Sequence, residues 1–90
     1  PIPTEYLLHQ NFPNPFNPAT TIRFYNDRPS TVKIVIINSL GQEIKELING
    51  YMSEGNHSVI FDATTLSSGT YFYKMIAKDF ISVKSLVLLK

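Results

Sequence analysis

Residues 31–37, TVKIVII, decide the fold class of this 90-residue chain. Six of the seven residues are β-branched, and Lys33 is the only charged residue among them. β-branched side chains pack well on a pleated sheet, and a strand that lacks polar alternation is covered on both faces. The stretch therefore predicts a central β-strand.

Shorter runs around this stretch have the period of half-buried strands. In residues 20–25, Ile22 and Phe24 fall on one face, which we expect to point into the core. Further strands are predicted at residues 42–48, 51–52, 57–62, 70–77 and 80–89. About seven strands without any long helical period predict an all-β fold, an antiparallel β-sandwich. A small barrel of the oligonucleotide-binding type is the alternative.

Four turns are predicted between these strands, and one of them is at residues 53–56 (SEGN). Residues 38–41 (NSLG) begin with an asparagine and end with Gly41, which can adopt a left-handed conformation. Residues 49–50 (NG) are the strongest two-residue hairpin signal in the chain, and residues 78–79 (KD) predict another tight turn.

Composition limits the possible functions. Hydrophobic residues make up 43% of the chain, as in an ordinary globular domain, and the net charge of +1 does not indicate a charged partner. For a mass of 10.2 kDa, area scaling predicts about 5,300 Å² of accessible surface, enough to enclose one modest core. Cysteine is absent, which excludes disulfides and thiolate metal sites. No apolar run approaches the roughly 20 residues of a membrane helix, so no membrane span is predicted.

The segment from residue 10 to residue 20, QNFPNPFNPAT, contains three prolines and two phenylalanines. Proline lacks a backbone N–H group, so we expect this segment to cap the sandwich rather than pair in a sheet. Phe12 and Phe16 are predicted to act as hydrophobic plugs, because exposing two large apolar side chains is unfavourable. Asn14 and Asn17 each precede a proline and are expected to bond the backbone two residues further on. A stiff interdomain linker is the competing interpretation.

Residues that carry chemistry are few. His9 and His57 are the only histidines, and neither lies at metal-ligand spacing from another candidate. The seven carboxylates are scattered through turns and polar strand faces, and residues 67–69 (SSG) lack the pattern of a nucleophile elbow. We predict no catalytic residue, no metal site and no cofactor.

Two binding functions compete with a purely structural spacer. Tyr25, Tyr51, Tyr71 and Tyr73 are candidate platforms for sugar rings, as in a carbohydrate-binding module. Aromatic and lysine residues at 71–78 would suit nucleic acid, but the near-neutral charge argues against that partner. The fold alone does not separate a binding module from a spacer.

Four blocks of the sequence resemble a known family. Residues 10–24 resemble the QNYPNPFNPxTxIxF opening of the C-terminal sorting domains of the type IX secretion system. In the same order, residues 38–44 resemble YNxLGQxV, residues 66–73 resemble LxSGxYxY, and residues 84–90 resemble KxxLLK. The blocks are distributed over nearly the whole chain from Leu7 onward.

This resemblance implies a seven-stranded immunoglobulin-like sandwich that acts as a non-catalytic sorting signal. Such domains direct an upstream cargo to the cell surface or the medium. They are recognised by an outer-membrane translocon and are commonly removed by a sortase-like peptidase. We therefore expect residues 1–6 to be a linker from the cargo domain. Residues 7–90 are then the sorting domain, a monomer that binds no nucleic acid.

The last strand is the predicted recognition element. Residues 74–90 carry four lysines against Asp79 alone and end in an apolar run, which would suit docking on a partner. The residues predicted to be read are Lys84, Leu86, Val87, Leu88, Leu89 and Lys90. From the residues alone, a final core strand is the more common role of such a run, and strand lysines often only protect a sheet edge. A structural role, as opposed to partner contact, is predicted for a second set of motif residues: Asn11, Pro13, Asn14, Pro15, Phe16, Asn17, Pro18, Gly41, Gly69 and Tyr71.

Overall fold

The computed structural model describes residues 6–90, which form two antiparallel sheets. The strands are β1 (Leu7–Leu8), β2 (Ala19–Asn26), β3 (Ser30–Ile37), β4 (Glu43–Met52), β5 (Gly55–Asp62), β6 (Gly69–Ala77) and β7 (Phe80–Leu88). One sheet has the order β1-β2-β5 and the other has the order β4-β3-β6-β7. The predicted seven-stranded sandwich is confirmed, and its accessible surface is 5363 Å².

The distribution of strands between the sheets is immunoglobulin-like. The first, second and fifth strands share one sheet, while the third, sixth and seventh share the other. This is the division of the constant-type immunoglobulin sandwich, except that the fourth strand pairs with the third instead of joining the first sheet.

The core lies between the two sheets. Ile22 and Phe24 of β2 are fully buried, as their alternation predicts. β3 is the predicted central strand, because it pairs with β4 on one side and with β6 on the other. Residues 34–36 of β3 are all fully buried. Both faces of this strand are therefore covered at its middle, as its continuous apolar run indicates.

The hairpin predicted at residues 49–50 is wrong. β4 runs through both residues, with Lys33 opposite Asn49 and Val32 opposite Gly50. Gly50 is the one glycine of the four whose φ is not positive, and a two-residue Asn-Gly turn requires positive φ at both positions. Pairing with the full length of β3 keeps β4 extended, and the chain reverses at residues 53–54 instead.

The loops gather at two ends of the sandwich, because all the long strands run antiparallel between them. At one end, here called the Tyr6 end, lie Tyr6 and the loops 27–29, 53–54 and 78–79. There Asn26 donates to the carbonyls of Met52 and Ser53, each at 3.1 Å, and so ties the two sheets together. At the opposite end, here called the motif end, lie residues 10–18, 38–42, 63–68 and 89–90.

The predicted linker, residues 1–6, lies outside the described residues except for Tyr6. That side chain is buried, its ring lies 5.6 Å from that of Phe80, and its hydroxyl is 3.1 Å from Ser30 Oγ. Tyr6 thus belongs to the packed unit. Within residues 6–90, no helix is long and apolar enough to span a bilayer.

A candidate recognition site at the motif end

The proline-rich segment pairs with strands at two points instead of only capping them. Phe12 exchanges two backbone hydrogen bonds with Thr21 of β2, each of 3.0 Å. Phe16 forms a parallel bridge with Leu88 of β7. The expectation that this segment does not pair is wrong at these two residues, because each phenylalanine keeps the N–H group that its neighbouring prolines lack.

The two phenylalanines have opposite environments. Phe16 is a buried plug, and its ring centroid lies 5.9 Å from that of Phe61. Phe12 is 70% exposed, which contradicts its predicted role as a second plug. The reason is its bridge to Thr21: paired residues share a sheet face, and Thr21 points outward since its neighbours on β2 point inward.

Asn11 organises the first turn of the segment. It is 2% exposed, and its side-chain amide donates to the carbonyl of Pro13 and to Thr20 Oγ1 at 3.2 and 3.1 Å. Thr20 Oγ1 donates to the same Pro13 carbonyl at 2.8 Å. The local bond predicted for Asn14 and Asn17 is therefore made by Asn11.

The remaining positions of the segment connect it to distant strands. Asn14 Oδ1 accepts from the backbone N–H of Val87 at 3.0 Å, and the carbonyl of Pro18 accepts from Ala63 at 2.8 Å. Pro15 and Asn17 are exposed. The peptide bonds that precede Pro13, Pro15 and Pro18 are cis.

The predicted turn at residues 38–41 is confirmed. Asn38 Oδ1 accepts from the backbone N–H groups of Leu40 and Gln42, and Gly41 has a φ of 84°. Leu40 at its tip is 82% exposed. The turn therefore presents a large apolar side chain to solvent at the motif end.

The loop before β6 closes the motif end. The Tyr71 hydroxyl donates to the carbonyl of Ser67 at 2.7 Å, and Gly69 has a φ of 155°. The backbone N–H of Lys90 donates to Ser68 Oγ at 3.0 Å, and its ammonium group donates to the carbonyl of Thr64. The chain after β7 is thereby bonded to this loop.

The residues predicted to be read by a partner fall into two groups. Leu86 and Leu88 are fully buried core residues, so their side chains present no surface in the folded domain. The other four reach the surface: Lys84 and Val87 are half-buried, whereas Leu89 and Lys90 are exposed. The alternation of a strand separates residues that look alike in the sequence.

Two ionisable groups near the motif end have shifted pKa values. Hydrogen bonds from the side chain and the backbone of Thr64 lower the pKa of Asp62. Burial raises the pKa of Tyr73 to about 12. The Tyr73 hydroxyl donates to the carbonyl of His9 at 2.6 Å, which joins β6 to the segment after β1.

The groups that could carry other functions do not assemble. Among residues 6–90, no three His, Asp or Glu side chains are close enough together to hold a metal ion. The candidate sugar platform is also dispersed, because Tyr73 is fully buried and the Tyr71 hydroxyl is bonded to the loop. Tyr25 and Tyr51 lie in different sheets.

Four residues with a structural or surface role were not predicted from the sequence. Thr20 is buried beside Asn11, and the Gln10 amide donates to the carbonyl of Ser85 at 2.7 Å. Ile81 and Val83 on the outer face of β7 are 64% and 52% exposed. The alternation of side chains along residues 80–89 indicates that Ile81 and Val83 lie on the outer face. The prediction was instead based on the apolar run at residues 86–89.

The fold and this site define a small β-sandwich whose sequence motifs converge at one end. In a comparison with known families, the secretion system C-terminal sorting domain matches residues 10–89. The chain therefore belongs to that family. No curated protein matches the chain. The domain is a sorting signal that the type IX secretion system recognises, and it marks a protein for export to the cell surface or the medium. Sorting domains of this family are not catalytic.

Proposed function

We propose that the outer-membrane translocon of the type IX system reads the motif end of this domain, and that a sortase-like peptidase then separates the domain from an upstream cargo. The domain acts as a monomer and contributes no catalytic group to the cargo. The observation that carries the proposal is the convergence of the four sequence blocks at the motif end, while the chain enters the sandwich at the Tyr6 end.

The motif end and the Tyr6 end lie at opposite ends of the sandwich. This arrangement suits a domain that the translocon recognises while the domain is still attached to a cargo. β7 alone spans about 30 Å, at roughly 3.4 Å for each of its residues. A partner on the motif end therefore approaches at that distance from a cargo that precedes Tyr6. A cut that releases the cargo falls before β1, because the chain from β1 onward is held by sheet hydrogen bonds.

The proposal assigns contact to the members of the predicted set that reach the surface: Leu89 and Lys90, which are exposed, and Lys84 and Val87, which are half-buried. Leu86 and Leu88 act indirectly, because burial of their side chains holds β7 in place. Lys84 and Lys90 give the four contact residues two positive charges and no negative one, so the proposed partner surface is acidic.

The test fuses residues 1–90 to a reporter in a host that has a type IX apparatus. Deleting residues 86–90 would remove core side chains and confuse unfolding with lost recognition, so surface substitutions are needed. We expect Lys84→Glu, Leu89→Ser and Lys90→Glu together to keep the reporter inside the cell, while circular dichroism shows the strand signal and melting temperature of the parent. Arg23→Glu and Ile60→Ser on the opposite sheet are the matched control and should leave export unchanged.

Export of the triple variant at the parent level would overturn the proposed reading surface. Failure of the parent fusion to leave the cell would overturn the function itself. The mass of the exported reporter reports peptidase cleavage: a reporter that still carries all 90 residues contradicts it. Sedimentation of the isolated chain at 10.2 kDa is the result expected for a monomer.

A further inference from the structure

The outer face of β6 and β7 is unusually apolar for an antiparallel sheet. Antiparallel sheets normally present polar side chains on the face that is turned away from the core. Here Ile76 lies directly opposite Ile81, and Val83 lies opposite Lys74. The apolar residues on this outer face are Phe72, Ile76, Ile81, Val83 and Val87. The outer face of the β2–β5 pair is more polar: it carries Thr21, Arg23, Ser58 and Asp62, with Ile60 as its one strongly exposed apolar side chain.

The N-terminal half of β7 is also an open sheet edge. β7 is the last strand of its sheet, and the backbone groups of Ser85 and Val87 point away from β6, toward Gln10, Asn14 and Phe16. Since backbone direction alternates along a strand, the N–H and C=O groups of Ile81 and Val83 point the same way. Within residues 6–90, no group pairs with them. An open edge with exposed β-branched side chains is a template for another strand.

The chain itself shows that this edge accepts an extended segment. Phe16 runs parallel to β7 at Leu88, with one hydrogen bond to Val87 and one from Leu89. Asn14 and Gln10 extend these contacts back to Ser85 through their side chains. Among residues 6–90 the self-pairing stops there, and no described segment pairs with residues 81–84 at the same edge.

Charge argues against a second copy of the chain as the occupant. Four lysines against Asp79 give residues 74–90 a charge of +3, so the rest of the chain carries −2 of the total of +1. Two copies paired through β7 would bring these positive regions together, whereas an acidic partner is attracted.

From the open edge, the apolar outer face and this charge, we infer that residues 81–84 of β7 bind an extended, acidic segment of a partner protein as an added strand. Backbone hydrogen bonds to Ile81 and Val83 provide register, and apolar side chains of the added strand cover Ile81 and Val83. This inference rests on the proposed function, because the expected partner belongs to the secretion apparatus. It places part of the recognition outside the motif end.

The test is a proline at residue 83 in the reporter fusion. Proline removes an N–H that points away from β6, so Val83→Pro spares the β6–β7 ladder and blocks the added strand. Val83→Thr keeps the N–H and the shape of the side chain. We expect Val83→Pro to lower the exported fraction roughly tenfold, as the loss of about 1.4 kcal/mol of binding would do, and Val83→Thr to stay near the parent. Both variants must melt near the parent temperature.

If the proline variant does not fold, a second pair of variants tests whether β7 binds an acidic segment. Val83→Glu would repel an acidic segment, whereas Val83→Lys would not, so export should fall only with glutamate. Equal export of parent, Val83→Pro and Val83→Glu would overturn the inference while leaving the sorting function intact. Failure of the parent fusion would instead contradict the proposed function. A concentration-dependent dimer that Val83→Pro abolishes would assign the edge to a second copy and would also overturn the inference.

Discussion

Phe16 and Leu88 form a parallel bridge in which the Phe16 N–H donates to Val87 and the Leu89 N–H donates to Phe16, both at 3.0 Å. The two residues lie near opposite ends of the 90-residue sequence. This contact makes the motif end one unit, because it joins the proline-rich block to the last strand. The stability of the domain and the geometry of the proposed recognition surface therefore both depend on Phe16.

Replacing Phe16 with alanine should destabilise the domain by about 3–5 kcal/mol, because it empties a buried aromatic site against Phe61. Urea unfolding followed by circular dichroism measures the change. Phe12→Ala is the matched control: its side chain is mostly exposed, so the expected effect is within about 0.5 kcal/mol. Similar losses for the two variants would contradict their different burial.

Replacing Asn11 with alanine should cost about 1–3 kcal/mol, since a buried side chain with three hydrogen bonds would be lost and its partners left without their donor or acceptor. The same unfolding measurement applies. Asn17, which is exposed and also stands in the proline-rich segment, serves as control, and Asn17→Ala should be nearly neutral. An Asn11→Ala variant as stable as the parent would show that the Thr20 bond to Pro13 holds the turn alone.

Tyr73 should make the domain sensitive to alkali. Its pKa is about 12 in the folded state against 10.0 for an ordinary tyrosine, so the unfolded chain loses this proton first as pH rises. The stabilising contribution is complete below pH 10 and is lost between pH 10 and 12. Tyr73→Phe should cost about 1 kcal/mol at pH 7, because the bond to His9 is lost, and should lose less stability between pH 10 and 12.

The comparison of parent and Tyr73→Phe is its own control, because every other side chain is the same in the two proteins. Only the difference between the two unfolding curves reports Tyr73. Parallel loss of stability in parent and Tyr73→Phe across pH 10–12 would contradict the assignment.

The glycines of the two predicted turns should respond in opposite ways to alanine. Gly41 has a φ of 84°, where a side chain is strained, so Gly41→Ala should cost about 1–2 kcal/mol. Gly50 lies within β4 at an ordinary φ, and no atom lies within 4 Å of an added Cβ. Gly50→Ala should therefore stabilise the strand by about 0.5–1 kcal/mol. Thermal melts of both variants check this, and a destabilised Gly50→Ala would restore the hairpin interpretation.

Local patterns were sufficient for much of the fold. The alternation of Ile22 and Phe24 and the apolar run at residues 31–37 correctly predicted a buried face of β2 and a β3 whose middle, residues 34–36, is buried. The turn at Asn38 and Gly41 was also predicted, because an asparagine side chain and a left-handed glycine act within a few residues. In each case the decisive interaction is short in sequence.

The predictions failed where two conformations are locally possible and pairing with a distant strand determines which one forms. Asn49 and Gly50 have the chemistry of a hairpin, yet pairing with Lys33 and Val32 keeps them extended. Phe12 and Phe16 stand in similar proline-rich surroundings, and only the identity of their partners, Thr21 and Leu88, makes one exposed and the other buried.

By itself the sequence determined the sandwich class, the family and most of the strands, because side-chain period, turn chemistry and motif spacing are local properties of the chain. Only the tertiary structure decided that the four motif blocks meet at one end, that Leu86 and Leu88 are interior while Leu89 and Lys90 are exposed, and that the edge at Ile81 and Val83 is open. These features depend on which strands become neighbours, since pairing register sets the face of every side chain and the strand order sets every edge.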